Sequence, residues 1–120
     1  MQSSYQPAYL NLLENGQLEE RIRQARLLLS PCVLCPNNCQ ANRADGKMGL
    51  CRTGMLARVH GWCAHHGEET VISGWNGSGT IFFSGCNLRC AYCQNFEVSQ
   101  ARSGNELPAG DLAAAMLELQ

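Results

Sequence analysis

Thr80-Ile81-Phe82-Phe83-Ser84-Gly85-Cys86-Asn87-Leu88-Arg89-Cys90-Ala91-Tyr92-Cys93 joins an apolar run to three cysteines, and its reading decides the fold. In the Thr80–Ser84 strand, residues 80–83 are β-branched and aromatic with no polar alternation. That is the pattern of a strand buried on both faces, and such a strand points to a parallel sheet. The cysteines follow at once, with three and then two residues between them. They would project from the strand's carboxyl end, where parallel α/β folds build their sites. A tetrahedral zinc site wants four protein ligands and a cubane iron–sulfur cluster accepts four, so three thiolates on one centre leave a position for another ligand.

The chain has 120 residues and eight cysteines. Four of them form a first group, Cys32, Cys35, Cys39 and, twelve positions later, Cys51. Clustered short spacings in a reducing compartment favour metal binding over disulfides. This group supplies four ligands and closes its own site, and both a four-cysteine zinc knuckle and an auxiliary iron–sulfur cluster suit it. Cys63 stands alone and reads as a small buried apolar residue.

Around these groups the organisation is simple. Residues Gln17 to Leu29 place Leu18, Ile22, Ala25 and Leu29 at helical intervals, with Asn15 or Gly16 as N-cap and Ser30-Pro31 as terminator. The Cys32 to Cys51 stretch, rich in Pro, Asn and Gly, should be a loop held by its ligand. Met55 to Val59, Thr70 to Ser73 and Thr80 to Ser84 read as three strands separated by glycine-containing turns. Asp111 should cap a last helix carrying Leu112, Met116 and Leu119 on one face. A single strand–loop–helix unit cannot cover both faces of its strand, so the chain is expected to be a fragment or to rely on a second polypeptide.

Charged residues make up 16% of the chain and the net charge is −1, a balance that leaves no electrostatic footprint for nucleic acid. No apolar run reaches the ~20 residues needed to span a bilayer, and the N-terminus lacks a secretory pattern, so the sequence reads as cytoplasmic and without a membrane partner. His65-His66 precedes Gly67-Glu68-Glu69, but neighbouring side chains in extended chain face opposite ways, which argues for a solvated turn over a metal site. Gly77 and Gly79 lack the Lys-Ser/Thr ending of a phosphate loop and read as a turn into the strand. Asn87 and Asn95 read as turn stabilisers.

The Cys86, Cys90, Cys93 spacing resembles that of the radical S-adenosylmethionine (SAM) superfamily. The longer stretch from Ser73 through Trp75-Asn76-Gly77-Ser78-Gly79 to Cys90 is similar to the activating enzymes of glycyl-radical proteins, in the branch of pyruvate formate-lyase activating enzyme. Upstream, Cys32-Val33-Leu34-Cys35-Pro36-Asn37-Asn38-Cys39, Asn42-Arg43 and Gly46-Lys47-Met48-Gly49-Leu50-Cys51 resemble that branch's cysteine-rich leader. The resemblance implies that Cys86, Cys90 and Cys93 hold a [4Fe–4S] cluster whose fourth iron binds SAM, with Tyr92 near the adenine. It implies a cysteine-rich segment over residues 1–72, followed over 73–120 by the first βα unit of an incomplete radical SAM (β/α) barrel. The expected partners are a glycyl-radical enzyme as substrate and reduced flavodoxin or ferredoxin as electron donor. No residue of the chain is assigned as catalytic, and the later barrel strands have no counterpart here.

Two other functions remain open from the residues. One is a two-cluster, ferredoxin-like electron-transfer protein in which Cys63 joins Cys86, Cys90 and Cys93. The other is a two-zinc interaction module.

Overall fold

A computed structural model describes residues 6–120. Two short helices come first, α1 over Ala8–Glu14 and α2 over Leu18–Leu27. The second is the amphipathic helix expected from the sequence, but its N-cap position is Gln17 and it ends before Leu29. Glu20 holds its exposed face together by accepting hydrogen bonds from Arg23 Nε at 2.8 Å and Gln24 Nε2 at 2.7 Å, the i,i+3 and i,i+4 pairs that helical geometry allows. The α1 helix was not evident from periodicity, because seven residues are too few to establish one.

After the cysteine-rich loop come β1 over Ala57–His65, a single helical turn α3 over Thr70–Ser73, and β2 over Ser78–Phe83. A second short turn of helix, α4, covers Phe96–Ser99, and β3 over Asn105–Leu107 leads into α5 over Ala109–Glu118. The architecture is mixed α and β. Its sheet has the order β2-β1-β3, and both pairings are antiparallel. Val59 pairs with Phe83, Cys63 with Thr80 and His65 with Ser78, with a bulge between Val59 and Gly61.

This sheet corrects the expectation of a parallel one. The run around Ile81 was read as buried on both faces, yet β2 is an edge strand and Phe82 and Phe83 are exposed. β2 pairs antiparallel with β1, the strand before it, and residues 66–77, which carry α3, turn the chain back between them. Thr70 to Ser73 is a second correction, since these residues form a helical turn and not a strand. Val71 is 94% exposed and has no neighbouring strand to pair with, so its β preference goes unused. Ser73 Oγ instead donates to the carbonyl of Glu69 at 3.3 Å, and Gly74 closes the turn with φ +54.

Helix α5 begins after Pro108, which takes the N-cap position expected for Asp111. Asp111 lies in the first turn, where a negative charge still suits the helix dipole. Ala115 is its buried residue while Met116 is exposed, and Trp62 Nε1 on β1 donates to Glu118 Oε2 at 3.0 Å.

The core is thin. Only Cys32, Val59 and Ala115 are buried apolar residues among those described, and the accessible surface is 9259 Å². A compact protein of this mass would expose about 6,400 Å². The radius of gyration, 17.0 Å, likewise exceeds the roughly 13.6 Å expected of a compact domain of this length. With so little apolar area withdrawn from water, cross-links between loops carry unusual weight.

Candidate metal centre

The first cysteine group is built on a backbone reversal. Cys32 N–H donates to the Ala41 carbonyl at 3.0 Å and Gln40 N–H returns a bond to the Cys32 carbonyl at 3.2 Å. The intervening turn carries Cys35, whose carbonyl accepts from Asn38 N–H at 2.9 Å, and Asn38 and Gln40 both adopt positive φ. Asparagine tolerates that region better than most residues, which suits the Pro36-Asn37-Asn38 sequence to a tight turn. Cys39 then lies beside the short 3₁₀ turn Arg43–Asp45.

Arg43 fills the centre of this group. It is only 5% exposed, its Nη2 donates to Cys51 Sγ at 3.3 Å, and its Nη1 donates to the Gly54 carbonyl at 3.5 Å. Cys32 lines the same cavity as the guanidinium, and Cys39 Sγ and Arg43 Nη2 crowd the same side of Gly49. The Cys39 thiol is held below its ordinary pKa chiefly by the backbone amide of Ala41, with further help from Leu50, Cys32 and Arg43. Burial pushes the Cys51 thiol up, but hydrogen bonds from Arg43 and Thr53 outweigh it and the net shift is downward.

The second group sits on the loop leaving β2. Ser84 is buried, its N–H donating to the Arg58 carbonyl at 2.8 Å and its Oγ to the Val98 carbonyl at 2.6 Å. Gly85 N–H shares that acceptor at 3.2 Å, so the loop's first residues are tied to α4. At the other end, Gln100 Nε2 donates to the Cys90 carbonyl at 3.0 Å and Cys93 Sγ meets Ser99 Oγ at 3.2 Å. The Leu88 amide donates to Cys86 Sγ at 3.4 Å. Amides of Arg89 and Leu88 together draw the Cys86 pKa down, with partial burial and the nearby Cys51 opposing them.

The two groups meet. Asn37 Nδ2 donates to the Asn87 carbonyl at 2.8 Å, and a β-carbon at Gly85 would lie 2.7 Å from the Cys51 carbonyl oxygen. A cavity of about 430 Å³ runs between them, lined by Cys32, Cys35, Cys51, Arg43 and Cys86. A larger depression of about 810 Å³ lies along α2 and has no cysteine on its walls, so size alone is a poor guide to the chemistry here.

Other sequence expectations separate from this centre. Cys63 is exposed on β1 opposite Thr80, which itself lies six residues before Cys86, and this corrects its reading as a buried apolar residue. At about 3.3 Å per residue, β2 carries it well away from the second group. Tyr92 is 93% exposed on the loop and packs in no core. His65 and His66 diverge, His65 Nε2 lying 3.6 Å from Glu68 Oε1 while His66 borders Gly77. Sequence reasoning missed Arg43, although an arginine between Cys39 and Cys51 in a chain of low charge was the available signal.

Among the described residues, no three Cys, His, Asp or Glu side chains form a closed ligand set around one point. The donor chemistry of the second loop nevertheless fits a cluster, since three thiols lie within eight residues and amides face the sulfur of Cys86. No helix among the described residues is long and apolar enough to cross a membrane.

No family model matches the chain, and no solved structure matches it. The chain is similar to the uncharacterized protein MJ0674 of Methanocaldococcus jannaschii, with 31% identity over 99 residues. That match covers 82% of this chain and 28% of the length of the archaeal protein.

Proposed function

We propose that the chain carries the cluster-binding part of a radical SAM protein, with Cys86, Cys90 and Cys93 as ligands of a [4Fe–4S] cluster and SAM as the fourth. The observation that carries this reading is the loop itself. Its three cysteines leave the carboxyl end of β2 on a segment pinned at both ends, by Ser84 to Val98 and by Gln100 to Cys90. The Leu88 amide already donates to Cys86 Sγ, an arrangement that favours a thiolate there over a neutral thiol.

When bound, such a cluster supplies one electron to SAM, whose cleavage gives methionine and a 5′-deoxyadenosyl radical able to abstract a hydrogen atom. The chain's own residues bind and position. Ser84 and Gly85 fix where the loop starts, Ser99 and Gln100 fix where it ends, and exposed Tyr92 is free to lie against a flat adenine. In this reading β2 is the first strand of a (β/α) barrel and its free edge accepts the next. A glycyl-radical protein is the proposed substrate and reduced flavodoxin or ferredoxin the electron donor, with the remaining barrel surface supplied by polypeptide outside these residues.

Anaerobic reconstitution with iron and sulfide, reduction and EPR test the reading. The expected result is a four-iron cluster signal that changes shape when SAM is added and disappears in a Cys86→Ser, Cys90→Ser, Cys93→Ser variant. A signal indifferent to SAM refutes it.

A further inference from the structure

Arg43 poses an energetic problem. A guanidinium withdrawn from water costs several kcal/mol unless anionic or strongly accepting partners surround it. Its environment offers two ordinary carbonyl or thiol contacts at 3.5 and 3.3 Å, and Nε finds no partner among the described residues. Neutral thiols are weak acceptors, so they cannot compensate such a charge. Thiolates can.

The thiols around it come from separate parts of the chain. Cys51 accepts a hydrogen bond from the guanidinium, Cys39 lies near Nη2 beside Gly49, and Cys32 and Cys35 line the same cavity as Arg43. Four thiolates with one divalent ion carry two negative charges in excess, and a buried arginine is a fitting counter-charge. Around a tetrahedral ion with zinc–sulfur bonds of about 2.3 Å, ligand sulfurs stand roughly 3.8 Å apart. Four cysteines fill every position around such an ion and leave none open, which is the ligand set of a structural zinc site.

We propose that Cys32, Cys35, Cys39 and Cys51 hold one thiophilic divalent cation of the zinc class, with Arg43 as the buried positioning residue that balances their charge. The loop backbone brings Cys32, Cys35 and Cys51 to one cavity with Arg43, and Cys39 Sγ lies on the Arg43 side of Gly49. Arg43 acts through the thiolates and never binds the ion. The site stands independently of the radical SAM reading, because none of its ligands belongs to the second loop.

The test uses the full chain, purified anaerobically, stripped with chelator and titrated with cobalt(II). One equivalent should give the intense visible bands of tetrahedral cobalt thiolate, and zinc should displace it. The bands should survive replacement of Cys86, Cys90 and Cys93 by serine together, and vanish in Cys51→Ser. Cys35→Ser serves as a second ligand variant should Cys51→Ser fail to fold. Arg43→Met should weaken cobalt affinity about 10- to 100-fold and shift the charge-transfer band, with Arg43→Lys recovering part of both. Cobalt bands that follow the second loop's cysteines overturn the proposal. So does a four-iron cluster that forms at the first group and resists zinc, or an Arg43→Met protein with unchanged affinity and spectrum. Failure of SAM to alter an EPR signal at Cys86, Cys90 and Cys93 leaves these outcomes untouched, so the two readings fall separately.

Discussion

A single methyl group at Gly85 should pry the two cysteine segments apart. Gly85 has φ +92, and a β-carbon built there lies 2.7 Å from the Cys51 carbonyl oxygen and 2.8 Å from Thr53 Oγ1. The conformational cost of an L-residue in the left-handed region is roughly 1–2 kcal/mol. Overpacking against backbone adds about 1–3 kcal/mol, because a carbonyl cannot rotate away as a side-chain tip can. Gly85→Ala should therefore cost about 2–5 kcal/mol. A small domain has only about 5–15 kcal/mol in total, so the loss would be plain in urea unfolding followed by circular dichroism at fixed metal content. Gly110→Ala is the control, since Gly110 lies in α5 with nothing within 4 Å of its β-carbon position. There the same substitution should stabilise by about 0.4–1 kcal/mol. A Gly85→Ala protein within about 0.5 kcal/mol of the parent refutes the close approach of Gly85 to Cys51.

Gly49→Ala should lower the affinity of the first group for cobalt about tenfold or more, because its β-carbon would meet Arg43 Nη2 at 2.6 Å and Cys39 Sγ at 2.8 Å. Unchanged cobalt binding would count against the crowding. Gly104→Ala should release β3, since Gly104 has φ +88 and its β-carbon would overlap the Val59 carbonyl and the backbone of His60. Hydrogen exchange at Asn105 to Leu107 reports it, and protection equal to the parent's argues otherwise. Ser84→Ala removes a bond to a carbonyl that still accepts from Gly85, so it should cost only about 0.5–1.5 kcal/mol in chemical denaturation. In chelator-treated protein, Arg43→Gln should raise the Cys51 pKa, because burial already pushes that thiol up and Arg43 is the first group drawing it down. Less thiolate at neutral pH means slower alkylation of Cys51 by iodoacetamide, read by peptide mass spectrometry; equal rates sink the assignment.

The cysteine spacings and the helix around Ile22 were legible in the sequence because both depend on local geometry. Spacing fixes which thiols share a turn, and helical period needs no distant partner. The sheet was not legible in the same way. Ile81-Phe82-Phe83 has the same apolar run whether it is a central parallel strand or an edge strand awaiting cover, and composition cannot separate the two. Thr70 to Ser73 misled for a related reason, since β-branched residues form strands only where another strand pairs with them. Cys63 looked like a core residue by type, but it lies beyond the bulge after Val59 in a part of β1 with little core to cover it, and it is exposed. Arg43 escaped because its role depends on three residues the chain brings together, which no single spacing encodes.

That meeting of segments bears on how such a thin-cored chain holds its shape. Cys51 and Cys86 are 35 residues apart in sequence, yet Gly85 packs on the Cys51 backbone and Asn37 bonds Asn87. The β1–β2 ladder, from Val59 opposite Phe83 to His65 opposite Ser78, closes most of this loop, but the residues beyond its end are held by little more than an amide bond worth about 1 kcal/mol. Hydrophobic burial helps little where Val59, Cys32 and Ala115 make up the apolar core of the described residues. An ion at the first group would tie Cys32, Cys35 and Cys39 to Cys51 and so present a fixed wall to Gly85. Because ligand binding to such thiols is itself folding free energy, order in the first segment would restrict the loop of Cys86, Cys90 and Cys93 before any ligand reaches it. With both proposals in place, the closed site would position the open one.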